Sequence, residues 1–399
     1  MIIYSDRIVL PGRIISGSVT VNESGKITEI REGKPETCDI NAGGYTIIPG
    51  IIDTHNHGAG GYRFDSADPD EVRNCLKVQA AFGVTGIFPT TTNHKGYHDL
   101  VRIMSENNDG ARILGIHSEG PWGSRVGEKG INPGYPRPSL QEARERYEAG
   151  EGKLVLFDIA PEVPGALEVI DYMVSKGVTV GNFHTNANYE EANAGIDHGI
   201  TVATHLFNVM TGLHHRDVGT AGADILRDEV WCELICDGLH VSLPMVQLAL
   251  RMKNHDQIMM VSDNGAFAGL PAGKYDGASM GSGGVSDRKT IMVTEEGYCL
   301  SETGRLTGSG KPVLFGLQNL VQKLHMPVEE AVRMSSYNPS VKYRLNGKGE
   351  LKEGNDFDAV IIDDDFNVMQ TFVEGRCVFD STKETIPYSQ EFIRKYRIE

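Results

Sequence analysis

Apolar runs of β character alternate with amphipathic stretches through the middle of this chain. There are eight such runs: Ile47–His57, Gly83–Thr92, Arg112–Pro121, Lys153–Glu162, Gly177–Ala187, Gly199–Asn208, Trp231–Val241 and Gln257–Gly269. Between them, Pro69–Phe82, Leu140–Gly150, Ala166–Lys176, Tyr189–His198 and Pro244–Lys253 space their apolar residues as helices do. A short continuous apolar run is what a strand buried on both faces looks like, and strands alternating with helices build a parallel sheet. Eight repeats predict an α/β fold, a TIM-like (β/α)8 barrel, whose chemistry sits at the C-terminal ends of its strands. A doubly wound open sheet is the alternative, but no Gly-x-Gly-x-x-Gly follows an early strand.

The two ends of the chain have another texture. Met1–Tyr4, Arg7–Leu10, Gly17–Val21 and Lys26–Ile30 are short strand-like runs broken by Gly, Pro and Asn, and Gly349–Leu351, Asp358–Asp363 and Val368–Phe379 repeat the pattern. Neither end alone holds enough apolar residues for a core. The two are therefore expected to pair into one small flanking β-sandwich, residues 1–48 plus 345–399, beside a barrel over 49–344.

Composition narrows the function classes. The chain has 399 residues, 40% hydrophobic and 23% charged, which suits one barrel-sized domain and a smaller one. Its formal net charge of −16 argues against nucleic-acid and anionic-membrane partners, which need a basic face. The start, Met1-Ile2-Ile3-Tyr4-Ser5-Asp6, has no basic segment leading into a long apolar one, and no run approaches the length of a membrane span. A cytoplasmic location is expected. The cysteines (Cys38, Cys75, Cys232, Cys236, Cys299, Cys377) are scattered without a Cys-x-x-Cys and read as reduced, mostly buried thiols.

Candidate chemistry lies at the strand ends. His55 and His57 alternate across one residue, so in a strand both point to one side. The third run ends in His117-Ser118-Glu119-Gly120-Pro121, the fifth offers His184, the sixth His205, the seventh His240 and the eighth Asp263. Imidazoles with a carboxylate suit a divalent first-row metal such as zinc, iron(II) or manganese(II) with positions left for water. The fourth run ends Asp158-Ile159-Ala160-Pro161-Glu162, which supplies no lysine to bridge two ions. A water nucleophile would need a base such as an ionised Asp263, and the tetrahedral oxyanion a donor such as His240. In so acidic a chain, His214-His215-Arg216 is a local basic patch, and an arginine fork suits a phosphate dianion.

Taken together, Pro49–Gly58, His117–Pro121, Ala203–Met210 with His214–Arg216, Asp237–Val241, and Asp263 followed by Ala268–Tyr275 resemble the N-acetylglucosamine-6-phosphate deacetylase family of the amidohydrolase superfamily. The likeness runs on to Asn338-Pro339 and into the C-terminal strands. It implies a metal-dependent hydrolase that converts N-acetylglucosamine-6-phosphate to glucosamine-6-phosphate and acetate, as a homodimer with a barrel and a flanking β-domain. Glu119, His184 and His205 match the ligands of the principal metal site. His55 and His57 match the pair that some members use for a second ion, so one or two divalent ions per chain are implied, zinc first, iron or manganese otherwise. Asp263 matches the aspartate that moves a proton from the attacking water to the leaving amine, and His240 a residue that orients the carbonyl. Asn208 and Arg216 match phosphate and sugar contacts, the arginine reaching across the dimer interface in one reading.

Some positions depart from the family pattern. Ile131 stands where many members have a polar residue, Asn208-Val209-Met210 where Asn-Ala-Met is usual, and Asp263-Asn264-Gly265 where Asp-Ala is usual; the Gly/Ser-rich tract 276–289 is longer than typical. Val209 is thus placed among substrate contacts. Because these positions surround the substrate, an epimer such as N-acetylgalactosamine-6-phosphate is the competing substrate. A cyclic amidase of the same superfamily and a non-catalytic metal- or sugar-binding protein fit the same residues less well. The tail from Ser389 to Glu399 is helix-like with no predicted packing partner.

Overall fold

A computed structural model describes residues 1–125, 135–277 and 290–398. Ile131 and most of the 276–289 tract lie outside the described residues.

The barrel strands are Ile51–Asn56, Val84–Pro89, a third in two pieces (Arg112–Ile113 and Ile116–Ser118), Leu154–Ile159, Thr179–Asn182, Ile200–Ala203, Trp231–Leu234 and Ile258–Met260. Neighbours along this series pair in parallel. Single bridges, Thr90 to His117 and Asn56 to Asn264, join the second strand to the third and the eighth to the first, which closes the ring. The first and second strands are buried along their whole length, as strands covered on both faces must be.

The helices sit where the periodicity placed them, Pro69–Ala81, Leu140–Ala149, Ala166–Ser175, Tyr189–Asp197 and Leu243–Met252. Their starts have local causes. Asp68 accepts from the Asp70 N–H ahead of Pro69, Ser139 caps the next helix, and Asn188 and Glu191 form a reciprocal capping box.

One expected strand proves to be two. Within Ile47–His57, Thr46–Pro49 pairs antiparallel with Ala359–Ile362, whereas Ile51–Asn56 belongs to the barrel. Gly50 is the joint: its N–H donates to the Asp358 carbonyl at 2.9 Å, and a Cβ there would lie 2.1 Å from Thr85 Oγ1. Only glycine lets the two layers approach so closely.

Thr46–Pro49 enters an eight-stranded sheet drawn from both ends of the chain, in the order Arg376–Asp380, Val368–Val373, Ala359–Ile362, Thr46–Pro49, Ile2–Leu10, Arg13–Val21, Ile27–Glu32, with Ile40–Asn41 also on Ile2–Leu10. Ile3, Ile8, Val19, Ile47, Phe357, Ile361 and Phe372 form its core. The tail forms a helix, Gln390–Tyr396, capped by Ser389. Phe392 stacks its edge on Phe267 at 5.6 Å, and the Ile398 N–H donates to the Lys274 carbonyl, so the tail braces the segment that follows Asp263. Among the described residues no helix is long and apolar enough to cross a membrane. All the cysteines are free; Cys75, Cys232, Cys236 and Cys299 are buried, Cys38 is half-buried and Cys377 exposed.

Candidate metal centre

Six residues named from the sequence converge at the C-terminal mouth of the barrel: His55, His57, Glu119, His184, His205 and Asp263. His55 lies within the first strand, and Glu119 directly follows Ser118, the last residue of the third. His184, His205 and Asp263 sit just past their strands, and each has a left-handed backbone, with φ of 40°, 35° and 50°. Non-glycine residues seldom adopt this conformation, which costs about 1–3 kcal/mol apiece and clusters where function requires it. Here it turns each side chain inward while the chain leaves the barrel.

Glu119 is the hub. Its Oε2 is 3.2 Å from His57 Nε2; its Oε1 is 3.4 Å from His205 Nε2, 3.5 Å from His55 Nε2 and 3.8 Å from His184 Nε2. Asp263 Oδ1 lies 3.5 Å from His57 Nε2 and 3.6 Å from His55 Nε2. Two ligand triads result, His55–His57–Glu119 and Glu119–His184–His205, which share one carboxylate. Tetrahedral zinc with ligand bonds of ~2.0–2.1 Å separates its ligands by about 3.3–3.4 Å, so the spacings observed fit a divalent ion in either triad. The buried Nε2 of His55 makes no hydrogen bond among the described residues, as a ligand nitrogen would not.

Charge is balanced within the cluster. Burial by itself would push the Glu119 carboxyl up, but His57, His205 and His55 outweigh it and hold it well below the usual carboxylate range. Burial opposes charge on His55 as well, yet Asp263, Glu119 and Glu233 raise its pKa well above an ordinary histidine's. Burial wins at His184, which is lowered to about 3 and stays neutral, as a ligand should. Its Nδ1 meets the Tyr135 hydroxyl at 3.2 Å, and Phe183 stacks on its ring at 4.3 Å.

Beneath the ligands lies a polar layer that sequence reasoning missed. Glu233, on the seventh strand, accepts from Thr54 Oγ1 at 2.9 Å and faces His55 Nδ1 at 3.2 Å. Asp158 Oδ2 is 2.7 Å from His117 Nε2, while His117 Nδ1 lies 3.0 Å from the Thr54 carbonyl, which can only accept. The Thr90 hydroxyl lies 3.1 Å from the same Nδ1. Burial lowers the His117 pKa to about 3 and raises that of Asp158 well above its usual value. Thr204 donates to the other Asp158 oxygen. Gly181 makes room, since a Cβ there would lie 2.4 Å from Asp158 Oδ1. A signal was present: both acids interrupt apolar runs, Phe157-Asp158-Ile159 and Cys232-Glu233-Leu234, where a buried charge needs a reason.

The other expected residues stand apart from the six. Asn208 donates to the carbonyls of His205 and Leu206 and so braces the turn that carries His205. Val209 has φ 51°, unusual for a β-branched residue, and its carbonyl accepts from the Thr185 N–H, tying the fifth and sixth strand ends together. His240 Nδ1 is held by Asp237 Oδ2 at 2.7 Å. Arg216 lies exposed in the turn closed by His214 and Asp217 and makes no ion pair among the described residues. Asn264, one of the departures from the family pattern, is buried and donates to the Ser309 and Lys311 carbonyls. It fastens the loop after Asp263 to the barrel.

Residues 46–378 match the family model described as Amidohydrolase family. The chain is 30% identical over 374 residues to the N-acetylglucosamine-6-phosphate deacetylase of Vibrio furnissii, covering 91% of each. It is 28% identical over 339 residues to the N-acetylgalactosamine-6-phosphate deacetylase of Escherichia coli O157:H7, covering 83% of this chain and 87% of that one. Its fold superposes with a TM-score of 0.84 on a Mycobacterium smegmatis N-acetyl-D-glucosamine-6-phosphate deacetylase, an aspartate-to-alanine variant holding its sugar phosphate, at 28% identity and 95% and 99% coverage. The chain thus belongs to the amidohydrolase family, within its group of N-acetylglucosamine-6-phosphate deacetylases.

Proposed function

We infer that the chain hydrolyses the acetamide of N-acetylglucosamine-6-phosphate to glucosamine-6-phosphate and acetate, with zinc as the metal. The observation that carries this reading is the pair of triads sharing Glu119, with the Asp263 carboxylate beside both histidines of one of them.

An amide carbonyl is a poor electrophile and water a poor nucleophile, and a bound divalent ion answers both by polarising the one and acidifying the other. The chain's own residues do the rest. Glu119, His184 and His205 would hold the principal ion, and His55 and His57 a second. Asp263, ionised, accepts the proton of the attacking water and passes it to the amide nitrogen, which leaves badly without it. His240, fixed by Asp237, orients the carbonyl and stabilises the developing oxyanion. Arg216 takes the 6-phosphate; its exposed loop also suits a role across a homodimer interface. Asn208 and Val209 shape the sugar pocket next to His205.

Acetate release from N-acetylglucosamine-6-phosphate and N-acetylgalactosamine-6-phosphate, measured side by side on zinc-loaded protein, tests this. Preference for the gluco sugar is expected. Preference for the galacto epimer would move the assignment toward the Escherichia coli relative, and activity on neither would overturn it.

A further inference from the structure

Glu233 has no role in the chemistry just described, yet it occupies the barrel interior directly behind the cluster and is fully buried. A buried carboxylate is costly unless donors meet it. Only two side chains do so among the described residues: Thr54 Oγ1 at 2.9 Å on Oε1 and His55 Nδ1 at 3.2 Å on Oε2. Glu233 cannot reach an ion itself, because His55 stands between. In the neutral ring that a metal ligand must be, it fixes which nitrogen of His55 carries the proton: Nδ1–H points at Glu233, and Nε2 faces Glu119 and Asp263 at 3.5 and 3.6 Å without a hydrogen bond.

We propose that Glu233 is a positioning residue for the His55–His57–Glu119 triad, and that this triad, unlike Glu119–His184–His205, depends on it to bind an ion. This rests on the metal-dependent reading above and deepens it. The principal triad has no such link: His184 Nδ1 is met by Tyr135 and His205 Nδ1 has no partner among the described residues. A carboxylate behind a ligand imidazole fixes ring orientation and raises ligand basicity, and its loss typically costs about 10- to 100-fold in metal affinity.

The experiment is a zinc titration of the purified chain against a chromophoric chelator, with total zinc counted independently. It compares the unmodified protein with Glu233→Gln, Glu233→Leu and His57→Ala. Two ions are expected in the unmodified chain. Glu233→Leu should weaken one of them about 10- to 100-fold, the same ion that His57→Ala removes, and leave the other unchanged. Glu233→Gln keeps the shape and an acceptor oxygen for His55 Nδ1–H but removes the charge that raises ligand basicity, so it should weaken the same ion measurably but less than leucine does; being nearly isosteric, it also serves if the leucine variant does not fold. Equal weakening of both ions, no weakening in either variant, or a single ion in the unmodified chain would each overturn the proposal. Acetate release is read separately: its absence from the two-ion protein would overturn the deacetylase assignment and leave the part played by Glu233 standing.

Discussion

Asp237 holds His240 by two contacts and its neighbour Leu239 by a third. Its Oδ2 lies 2.7 Å from His240 Nδ1, and its Oδ1 accepts the backbone N–H groups of both Leu239 and His240 at 2.8 Å. Ser309 Oγ also donates to Oδ2, at 3.3 Å. Burial pushes the Asp237 carboxyl up, but His240 and the backbone donors outweigh it and keep it ionised. Asp237→Asn preserves the backbone contacts and removes only the charge behind the ring. Turnover is expected to fall by about 10²-fold with KM little changed, on the scale of losing one oxyanion donor. Wild-type kcat in this variant would remove His240 from carbonyl activation.

Asp263→Asn separates chemistry from binding. General acid–base catalysis contributes about 10²–10⁴-fold, so acetate release should drop by that factor while zinc content is retained. If turnover survives, another group moves the proton.

In the proposed function the exposed Arg216 serves substrate affinity alone. Arg216→Ala should raise KM for the phosphorylated sugar by about tenfold or more, the worth of a charge-assisted contact, and leave the unphosphorylated sugar unaffected. Equal effects on both sugars would assign the phosphate elsewhere.

Asp224, on the helix Gly219–Leu226, reports on stability rather than activity. Burial lifts its pKa from 3.8 to about 7, against the opposing pull of Asn182 and Lys253. Between roughly pH 4 and pH 7 the folded chain therefore keeps a proton that the unfolded chain has released, so stability falls as pH rises across that window and is level above it. The full penalty is on the order of 4 kcal/mol. In metal-free protein, Asp224→Asn should unfold several degrees above wild type at pH 8 and at the same temperature near pH 4. A difference that is constant with pH would mean the carboxyl is not the cause.

The ring of strands and the residues gathered at its mouth were legible because each of those residues lies at the end of a continuous apolar run, and such runs survive in a single sequence. Glu119, His184 and His205 could be read in this way. The division at Gly50 could not, because Ile47, Ile48, Ile51 and Ile52 are alike in hydropathy and only pairing partners far along the chain tell the two strands apart. Glu233 and Asp158 were overlooked for a related reason. Their importance lies in what they face across the barrel, Thr54 with His55 and His117 with Thr204, and strand-to-strand proximity leaves no mark on local spacing. Likewise, nothing in the sequence of the C-terminal helix points to Phe267.

The joint at Gly50 also orders events during synthesis. The strand that carries His55 and leads into His57 is made well before the strand laid against its root, Ala359–Ile362. Pairing across so long a stretch is slow and must wait until Ala359–Ile362 has been made. Anchoring of that strand's root is then a late step of folding. A chain cut short before Ala359–Ile362 would carry His55 and His57 on a strand whose root lacks that anchor.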